Sequence, residues 1–402
     1  MNKSNFFTGQ PIFSQLIRFI PKQVIVNAAT KYKSDRYCKR FDTYHHLLTM
    51  LYACYQHCKS LREVTTGLQA SQGRLQSLNM HYLPARSTLA EANQRRTSQV
   101  FEQIYFDLLN RYRHFLSDSR FKDPLLKRLI IIDSTTISLF QEILKNAGRP
   151  AINGKKKGGI KVHMAVNAHE DVPYLIRLTA AAKADAPFMK ELNPPAGSII
   201  VMDRGYNNFH WLNRWQTAKA DWITRVRKNS IIETTGQKAV TENDQLGGVL
   251  SDQLITLGFK TNKTEQVKCR LIKYYDKESK KEFEFITSNN RFSALKIAML
   301  YKQRWQIETL FKRLKQNMPL EYFLGDNENA ISIQIWCALI ADLLLKVVQS
   351  RLKRTWAFSN MASFIRLHLM NYTHIFKFLE NPEKCKIYNP IPDLQLKLSL
   401  YG

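Results

Sequence analysis

The spacing of apolar residues divides the chain into regions of different secondary structure. From about residue 10 to residue 120, apolar side chains recur three and four positions apart, as in Leu47, Leu51 and Tyr55. This is the period of a helix with one buried face. The sequence therefore predicts an all-α N-terminal domain over residues 1–120.

Part of this domain has the layout of a DNA-recognition element. Leu61–Ala70 is predicted to form a short helix, followed by a polar connection and a second helix capped by Ser87 or Thr88. The second helix carries amides and arginines, among them Arg95 and Arg96, which suit contacts in the major groove. The connection is long for a helix-turn-helix, so an ordinary helical domain with a basic surface is the alternative.

A β-type pattern begins after residue 122. Runs rich in β-branched residues predict five strands, and two helical stretches separate the last three of them. The predicted strands are Leu129–Asp133, Gly159–Val166, Val172–Thr179, Ser198–Met202 and Trp222–Val226, and the predicted helices are Ala184–Leu192 and Asn208–Lys219. This element order indicates an α/β domain with a mixed sheet over residues 121–345.

The region after the fifth strand follows a different pattern. Residues 228–290 are polar and contain two more strand-like runs, so we predict a β-rich insertion. One unbroken helix is then expected to carry residues 300–315. Residues 346–402 are predicted to form a helical C-terminal region.

The formal net charge of +27 is large for a chain of 402 residues. Such an excess repels itself in the folded state and suits a polyanionic partner, for which DNA is the favoured candidate. The basic residues are spread along the chain, which argues against a membrane surface as that partner. The most apolar stretch, Ala330–Val348, contains Gln334, Asp342 and Lys346, so we predict a buried helix and no membrane span.

The six cysteines form no ligand or disulfide pattern. Cys54 and Cys58 lie near histidines, but no second pair at ligand spacing accompanies them, so helix packing is favoured over a zinc site. The first ten residues lack an apolar run and do not predict a signal peptide. We therefore expect reduced thiols and a cytoplasmic protein.

Two aspartates, Asp133 and Asp203, each follow an apolar strand. Ligands gather where the strands of an open α/β sheet end, and Glu308 on the closing helix is expected to join them. Bare carboxylates suit hard cations, so the sequence predicts a site for Mg²⁺ or Mn²⁺, with two ions if it serves phosphoryl displacement. Taken singly, an Asp at a strand end is equally well a cap or turn residue.

Four side chains on the predicted closing helix share one face. Tyr301, Arg304, Glu308 and Lys315 follow one another at helical spacings, which confines them to a stripe about 60° wide. Residues 291–315 contain seven Lys or Arg and a single acid, Glu308. A lone carboxylate among cations is unusual on a solvated face and typical of a metal ligand beside a phosphodiester.

Three motifs resemble the acid motifs of insertion-sequence transposases of the IS4 family. They are Ile132-Asp133-Ser134-Thr135, Met202-Asp203-Arg204-Gly205-Tyr206, and the set Tyr301-x2-Arg304-x3-Glu308-x6-Lys315. The last matches the Tyr-Arg-Glu-Lys signature of that family at every spacing. The resemblance covers residues 1 to about 345, although only the motif regions are specific.

This resemblance implies an RNase H-like catalytic core with a β-rich insertion between the second Asp and the Glu. It also implies a DDE transposase that cleaves double-stranded DNA at terminal inverted repeats in a metal-dependent reaction and joins the 3′ ends to target DNA. The family further implies a homodimer on DNA and a bacterial, nucleoid-associated location.

The family pattern also assigns roles to individual residues. The implied catalytic and metal-binding residues are Asp133, Asp203 and Glu308. The implied DNA-contacting residues are Tyr301, Arg304 and Lys315, which would grip phosphates, and Arg204 and Tyr206, which would shape the site around the second Asp. Lys156, in a run of three lysines, is a further candidate phosphate contact or part of a solvated loop.

Two other functions stay open at this point. One is a DNA-binding descendant of a transposase that has lost catalysis, although the intact set of acids argues against such decay. The other is a nuclease that cuts DNA without strand transfer, and cutting and joining would use the same pocket.

Overall fold

The structure is a computed structural model that describes residues 9–116, 124–139, 158–228, 230–259, 262–318, 320 and 322–384. Lys156 and the tail beyond residue 384 lie outside these residues.

The N-terminal region is helical, as predicted. Its helices are α1 (Ile12–Ile17), α2 (Lys22–Lys31), α3 (Thr43–Gln56), α4 (Leu61–Ala70), α5 (Arg86–Arg95) and α6 (Gln99–Leu116). The side chains of Asp42 and Ser60 cap α3 and α4 by accepting hydrogen bonds from backbone amides. The prediction that Ser87 or Thr88 caps α5 is wrong, because that helix begins at Arg86 and has no side-chain cap.

The five strands predicted for the sheet are all present. They are β1 (Leu129–Leu139), β2 (Gly158–Asn167), β3 (Val172–Ala180), β4 (Ile199–Met202) and β5 (Asp221–Arg225). β1, β2 and β3 pair antiparallel, whereas β4 runs parallel to both β1 and β5. The predicted helix between β4 and β5 is α7 (Phe209–Thr217), and the one before β4 is a short 3₁₀ helix, Ala186–Glu191.

The first strand is longer than predicted. It was expected to end at Asp133, but β1 continues to Leu139 because its antiparallel pairing with β2 persists over that length. Only the parallel pairing with β4 stops, at Ile132 and Met202. Asp133 therefore lies inside β1, at the level where the neighbouring strand ends.

The segment after β5 extends the same sheet. It contains β6 (Ser230–Gln237), α8 (Glu242–Leu246), β7 (Val249–Phe259), β8 (Asn262–Asp276) and β9 (Lys281–Thr287). β9 pairs with β5, which gives the strand order β3-β2-β1-β4-β5-β9-β8-β7-β6. The β-rich character predicted for residues 228–290 is confirmed, and its strands continue the central sheet.

The closing helix is broken in two. α9 (Ala294–Lys302) and α10 (Trp305–Asn317) replace the single helix predicted over residues 300–315, so that prediction is wrong. The amides of Gln303 and Arg304 bond to carbonyls three residues earlier, which tightens the chain into a turn. Tyr301 consequently belongs to α9, whereas Glu308 and Lys315 belong to α10.

Helix α11 (Glu328–Ser350) forms the centre of the core. It is long and apolar enough to cross a bilayer, yet 94% of its most apolar 18-residue stretch is buried inside the protein. It packs against α3, α5, α6 and α10, so the buried helix predicted at Ala330–Val348 is confirmed. α12 (Phe358–Leu367) and α13 (Ile375–Glu380) follow it.

A buried ion network fastens α10 to α11. Arg313 of α10 donates to both carboxylate oxygens of Asp342 on α11 at 3.1 Å. It also donates to Asp171, between β2 and β3, at 2.6 Å, and Lys346 pairs with the same aspartate. Asp342 is only 3% exposed, so its charge depends on this arginine. The network sets the position of α10 against the sheet.

Removal of this arginine should destabilise the fold. Arg313→Met leaves Asp342 buried without its partner, which should lower the free energy of unfolding by about 3–5 kcal/mol. Urea unfolding measures the change, with Lys312→Met at the neighbouring exposed position as the control. Arg313→Met/Asp342→Leu should recover much of the loss. If Arg313→Met were as stable as its control, the network would have no structural role.

Candidate active site

The parallel pairing of β1 and β4 brings two aspartates side by side. Ile132 is in register with Met202, and Asp133 and Asp203 are the next residues in the two segments. Neighbouring positions of paired strands point to the same side of a sheet. The two carboxylates therefore lie together where β4 ends.

Helix α10 brings the third carboxylate to this place. Glu308 lies in its first turn, and Arg304 immediately precedes the helix. The Arg304 guanidinium donates through Nη1 to Asp133 Oδ2 and through Nη2 to Glu308 Oε1, both at 2.5 Å. This two-sided contact, which we call the Arg304 bridge, ties the strand to the helix.

Asp203 has an arginine of its own, which the sequence analysis did not identify. Arg225, the last residue of β5, donates from Nη2 to Asp203 Oδ1 at 2.8 Å. The available signal was a basic residue at the end of the apolar strand β5. This strand lies next to β4, which directly precedes Asp203. That neighbourhood becomes visible only when the strand order is known.

The two aspartates have opposite pKa shifts. Burial raises the pKa of Asp133 to about 6, although the charge of Arg304 opposes the rise. Burial acts on Asp203 in the same direction, but hydrogen bonds from Arg225 and the backbone outweigh it and hold its pKa below the usual value. At neutral pH Asp203 is a stable anion, whereas Asp133 can exchange a proton.

Three buried donor atoms around these acids have no hydrogen-bond partner among the described residues. They are Tyr301 Oη, Arg304 Nε and Arg225 Nε. The Tyr301 ring packs on Phe285 with its centroid 4.6 Å away, and burial raises the pKa of its hydroxyl, which stays protonated. An unsatisfied buried donor costs about 1–3 kcal/mol. Three such donors in one place point to a ligand that supplies acceptor oxygens.

The remaining motif residues lie at the edges of the pocket. Lys315 of α10 donates to the backbone carbonyl of Thr136 on β1 at 3.2 Å, and burial lowers its pKa. Arg204 is exposed in the turn after Asp203. Arg227 donates to the carbonyls of Arg204 and Gly205, which fixes that turn.

Two of the residues predicted to contact DNA have buried side chains in this structure. Tyr206 is 1% exposed and its hydroxyl bonds to His163 Nδ1 at 3.0 Å, so it supports the turn from inside. Arg96 is 6% exposed and bonds to His46 and to the carbonyl of Phe41. Arg95 is exposed and pairs with Glu91 on the same helix, α5, which carries none of the acids of the pocket.

A fourth carboxylate beside the pocket was missed by the sequence analysis. Asp185 accepts hydrogen bonds from Lys161 at 2.8 Å and from Ser134, the neighbour of Asp133, at 3.3 Å. A Cβ at Gly205 would come within 2.9 Å of it, which explains the glycine in the second motif. Asp185 lies in the stretch predicted to form the helix Ala184–Leu192, where neither a strand end nor one of the three motifs marked it.

The acids of the pocket suit a hard divalent cation, although they are occupied by arginines. Among the residues that the structure describes, no three His, Cys, Asp or Glu side chains form a metal-ligand cluster. The reason is local, since the Arg304 bridge stands between Asp133 and Glu308. The donor set itself consists of carboxylate oxygens, the ligands that Mg²⁺ and Mn²⁺ prefer.

Replacing the two aspartates should change stability in opposite directions. Because the pKa of Asp133 is raised in the folded protein, its protonated form contributes to the free energy of unfolding. This contribution is fully present below the ordinary pKa of 3.8 and is lost as the pH rises through about 6. Asp133→Asn should therefore stabilise the fold at pH 7.5 by about 1–3 kcal/mol. Asp203→Asn should destabilise it there, because a lowered pKa marks an anion that the fold favours.

Urea unfolding in EDTA at pH 7.5 and pH 4 measures both effects. The gain for Asp133→Asn should shrink at the lower pH. Equal shifts of the same sign in the two variants would contradict the different environments of the aspartates.

Comparison with known proteins places this arrangement in context. The sequence family described as Transposase DDE domain matches residues 124–344, which is more than half of the chain. A second family, described as Domain of unknown function (DUF4372), matches residues 8–80. The first match includes all three acids of the pocket, and the second covers α1 to α4.

Individual relatives agree with the first match. A putative transposase, y4zB, of Sinorhizobium fredii is 31% identical over 275 residues, which are 67% of this chain and 73% of the relative. A putative transposase for insertion sequence element IS4SA, of a Synechocystis species, is 29% identical over 65% of this chain and 71% of the relative. A solved piggyBac transposase synaptic complex with hairpin DNA aligns over 97% of this chain and 84% of that chain, with 14% identity and a TM-score of 0.43. A likeness this low carries no structural argument.

Proposed function

This chain belongs to the Transposase DDE domain family and is a DNA transposase, and from that premise we propose that it moves an insertion sequence by cut-and-paste transposition. It cleaves DNA at the terminal inverted repeats of the element and joins the 3′ ends to target DNA. The observation that carries this proposal is one pocket with three carboxylates and three buried donors that lack acceptors. Such a pocket suits a phosphodiester held beside cations.

Asp133, Asp203 and Glu308 would hold the metal, Mg²⁺ or Mn²⁺, with two ions in the arrangement that we favour. When bound, such ions activate the attacking oxygen and stabilise the leaving oxygen in phosphoryl displacement. Burial raises the pKa of Asp133 to about 6, so metal binding at this carboxylate would release a proton at lower pH and become weaker there.

Tyr301, Arg304, Arg225 and Lys315 hold phosphates of the transposon end. The Arg304 guanidinium already spans two carboxylates, and the same fork fits two oxygens of a phosphate. The Tyr301 hydroxyl and the two unpaired Nε–H groups supply further donors. Lys315 adds a point charge farther along β1. Arg204, Lys156 and Arg95 are proposed as outer phosphate contacts.

The order β3-β2-β1-β4-β5, with the acids at the β1–β4 junction, supports an RNase H-like catalytic core. We assign the DNA-binding N-terminal domain to residues 1–120, the catalytic domain to residues 121–345 and the helical C-terminal region to residues 346–402. The active form on DNA is a homodimer, in the bacterial cytoplasm and associated with the nucleoid. The net charge of +27 supports that location.

Glu308→Gln should abolish cleavage and spare DNA binding. Glutamine keeps an oxygen for Arg304 but removes the charge, so cleavage should fall by about 10²-fold or more. The assay is strand cleavage with Mg²⁺ or Mn²⁺ on DNA that contains the gene with its native flanks. Glu242→Gln, in the first turn of exposed α8, is the matched control. Loss of binding together with cleavage would make Glu308 a structural residue.

Lys315→Ala should weaken binding in a salt-dependent way. Loss of one phosphate contact reduces the slope of log K against log salt by about one. Binding of a flank duplex is measured in the Glu308→Gln chain, so that no cleavage intervenes. Lys312→Ala, an exposed lysine on the same helix, is the control. If the slope is the same in both variants, Lys315 does not hold a phosphate.

A further inference from the structure

A cleft away from the catalytic pocket carries positive charge that the chemistry of the pocket does not use. It lies between α4, α5 and the segment that leads into α11, and its volume is about 820 Å³. We call it the N-terminal cleft. Its charged lining residues are Lys59, Arg62, Arg86 and Asp326.

The cations of this cleft have no acidic partner among the residues that the structure describes. Within the described part of the chain, Lys59, Arg62 and Arg86 form no ion pair with an acid. The Nζ atom of Lys59 lies 5.3 Å from the centroid of the Tyr322 ring, a cation–π contact.

Two acids close in sequence, Glu63 and Glu91, do not line the cleft. Glu91 forms an ion pair with Arg95 at 2.7 Å, and the Glu63 carboxylate accepts a hydrogen bond from the backbone amide of Lys59. Asp326 is the one acid among the described residues that line the cleft. The net charge of the cleft is therefore positive and suits an anion.

Helix ends add to this potential. α4, α5 and α11 all begin at the cleft, and the positive end of a helix dipole is its N-terminus. Ser60 and Asn327 cap two of these helices with their own side chains. α5 has no side-chain cap, so its first amides are left for another acceptor.

The walls of the cleft are held rigidly from behind. Asn329 of α11 donates to the carbonyls of Asn93 and Arg96 and accepts from the amide of Ser98. Asn93 in turn donates to the carbonyl of Leu324 at 3.1 Å. The buried Asn93 of α5 and the buried Arg96, which directly follows this helix, therefore position this wall.

The outer side of α5 is a polar stripe. Arg86, Ser87, Ala90 and Gln94 are exposed, fall on one face of the helix and line the cleft. Arginine and glutamine are side chains that can donate to phosphates and to base edges. A cationic cleft beside such a stripe has the elements needed to hold one strand of a duplex and to set a helix along a groove.

We propose that the N-terminal cleft grips the phosphate backbone of double-stranded DNA, with Arg62 and Arg86 each neutralising one phosphate. The inference rests on the proposed function and moves the DNA contact of the N-terminal region from Arg96 to the start of α4 and α5. The segment before α11 also follows α10, which carries Glu308. DNA bound in the cleft would therefore contact the segment that connects α10 to α11.

The test is DNA binding by Arg62→Gln/Arg86→Gln in the full-length Glu308→Gln chain. Fluorescence anisotropy with a labelled duplex from the native flank of the gene is measured between about 50 and 200 mM salt. The slope of log K against log salt should fall by about two, and affinity at the lower salt by about 10–100-fold. Arg74→Gln/Lys127→Gln removes two exposed cations outside the cleft and should leave the slope near that of the parent.

Charge-preserving and single variants complete the experiment. Arg62→Lys/Arg86→Lys should keep the slope of the parent. If the double Gln variant fails to fold, each single Gln variant should still lower the slope by about one. A folded Gln variant with the parental slope, or an equal loss in the Arg74 and Lys127 control, overturns the inference.

The same measurements separate this inference from the proposed function. If the Glu308→Gln parent binds no flank DNA, the proposed function itself fails. If the parent binds and the cleft variant binds equally well, only the role of the cleft is lost. If inorganic phosphate displaces DNA only at the concentrations at which chloride also does, the cleft binds the duplex and is not a site for free phosphate.

Discussion

The buried pair of Arg313 and Asp342 is the constraint on which the geometry of the active site depends. The apolar face of α10 allows several positions against the core, because hydrophobic contact has no preferred direction. A guanidinium that bonds to both oxygens of one carboxylate allows a single position. Since Glu308 lies in the same helix as Arg313, this pair also sets the distance between Glu308 and the strand that carries Asp133.

The active site itself is assembled by internal cations. Three neighbouring carboxylates repel one another, and two arginines offset that repulsion. Arg225 holds Asp203 as an anion, while Arg304 divides its charge between Asp133 and Glu308. Burial raises the pKa of Asp133 in spite of Arg304, whereas the hydrogen bonds from Arg225 and the backbone outweigh burial at Asp203 and lower its pKa. Donor atoms are left over, because each arginine has more N–H groups than its carboxylates occupy.

The strands, the three motifs and the buried helix could be predicted from the sequence, because each depends on a local period or spacing. The break between α9 and α10 could not. No glycine or proline marks it, and Gln303 and Arg304 keep right-handed helical dihedral angles within the tightened turn. The Arg304 guanidinium reaches Asp133, 171 residues away in sequence, from this turn. The same limit applies to Arg96, which resembles a surface arginine until its contact with His46 is known. Long-range pairing likewise decided that β6 to β9 extend the central sheet.

The burial of α11 has a consequence for synthesis of the protein. Its partners α3 and α6 leave the ribosome more than 200 residues earlier, which at bacterial elongation rates is roughly 10 to 40 seconds. The Tyr55 hydroxyl, for example, bonds to a carbonyl 286 residues downstream. During that interval the N-terminal helices lack the surface that completes their core. A nascent or truncated chain that ends before residue 328 therefore exposes apolar faces, and we expect chaperones and proteases to act on it before it can occupy DNA.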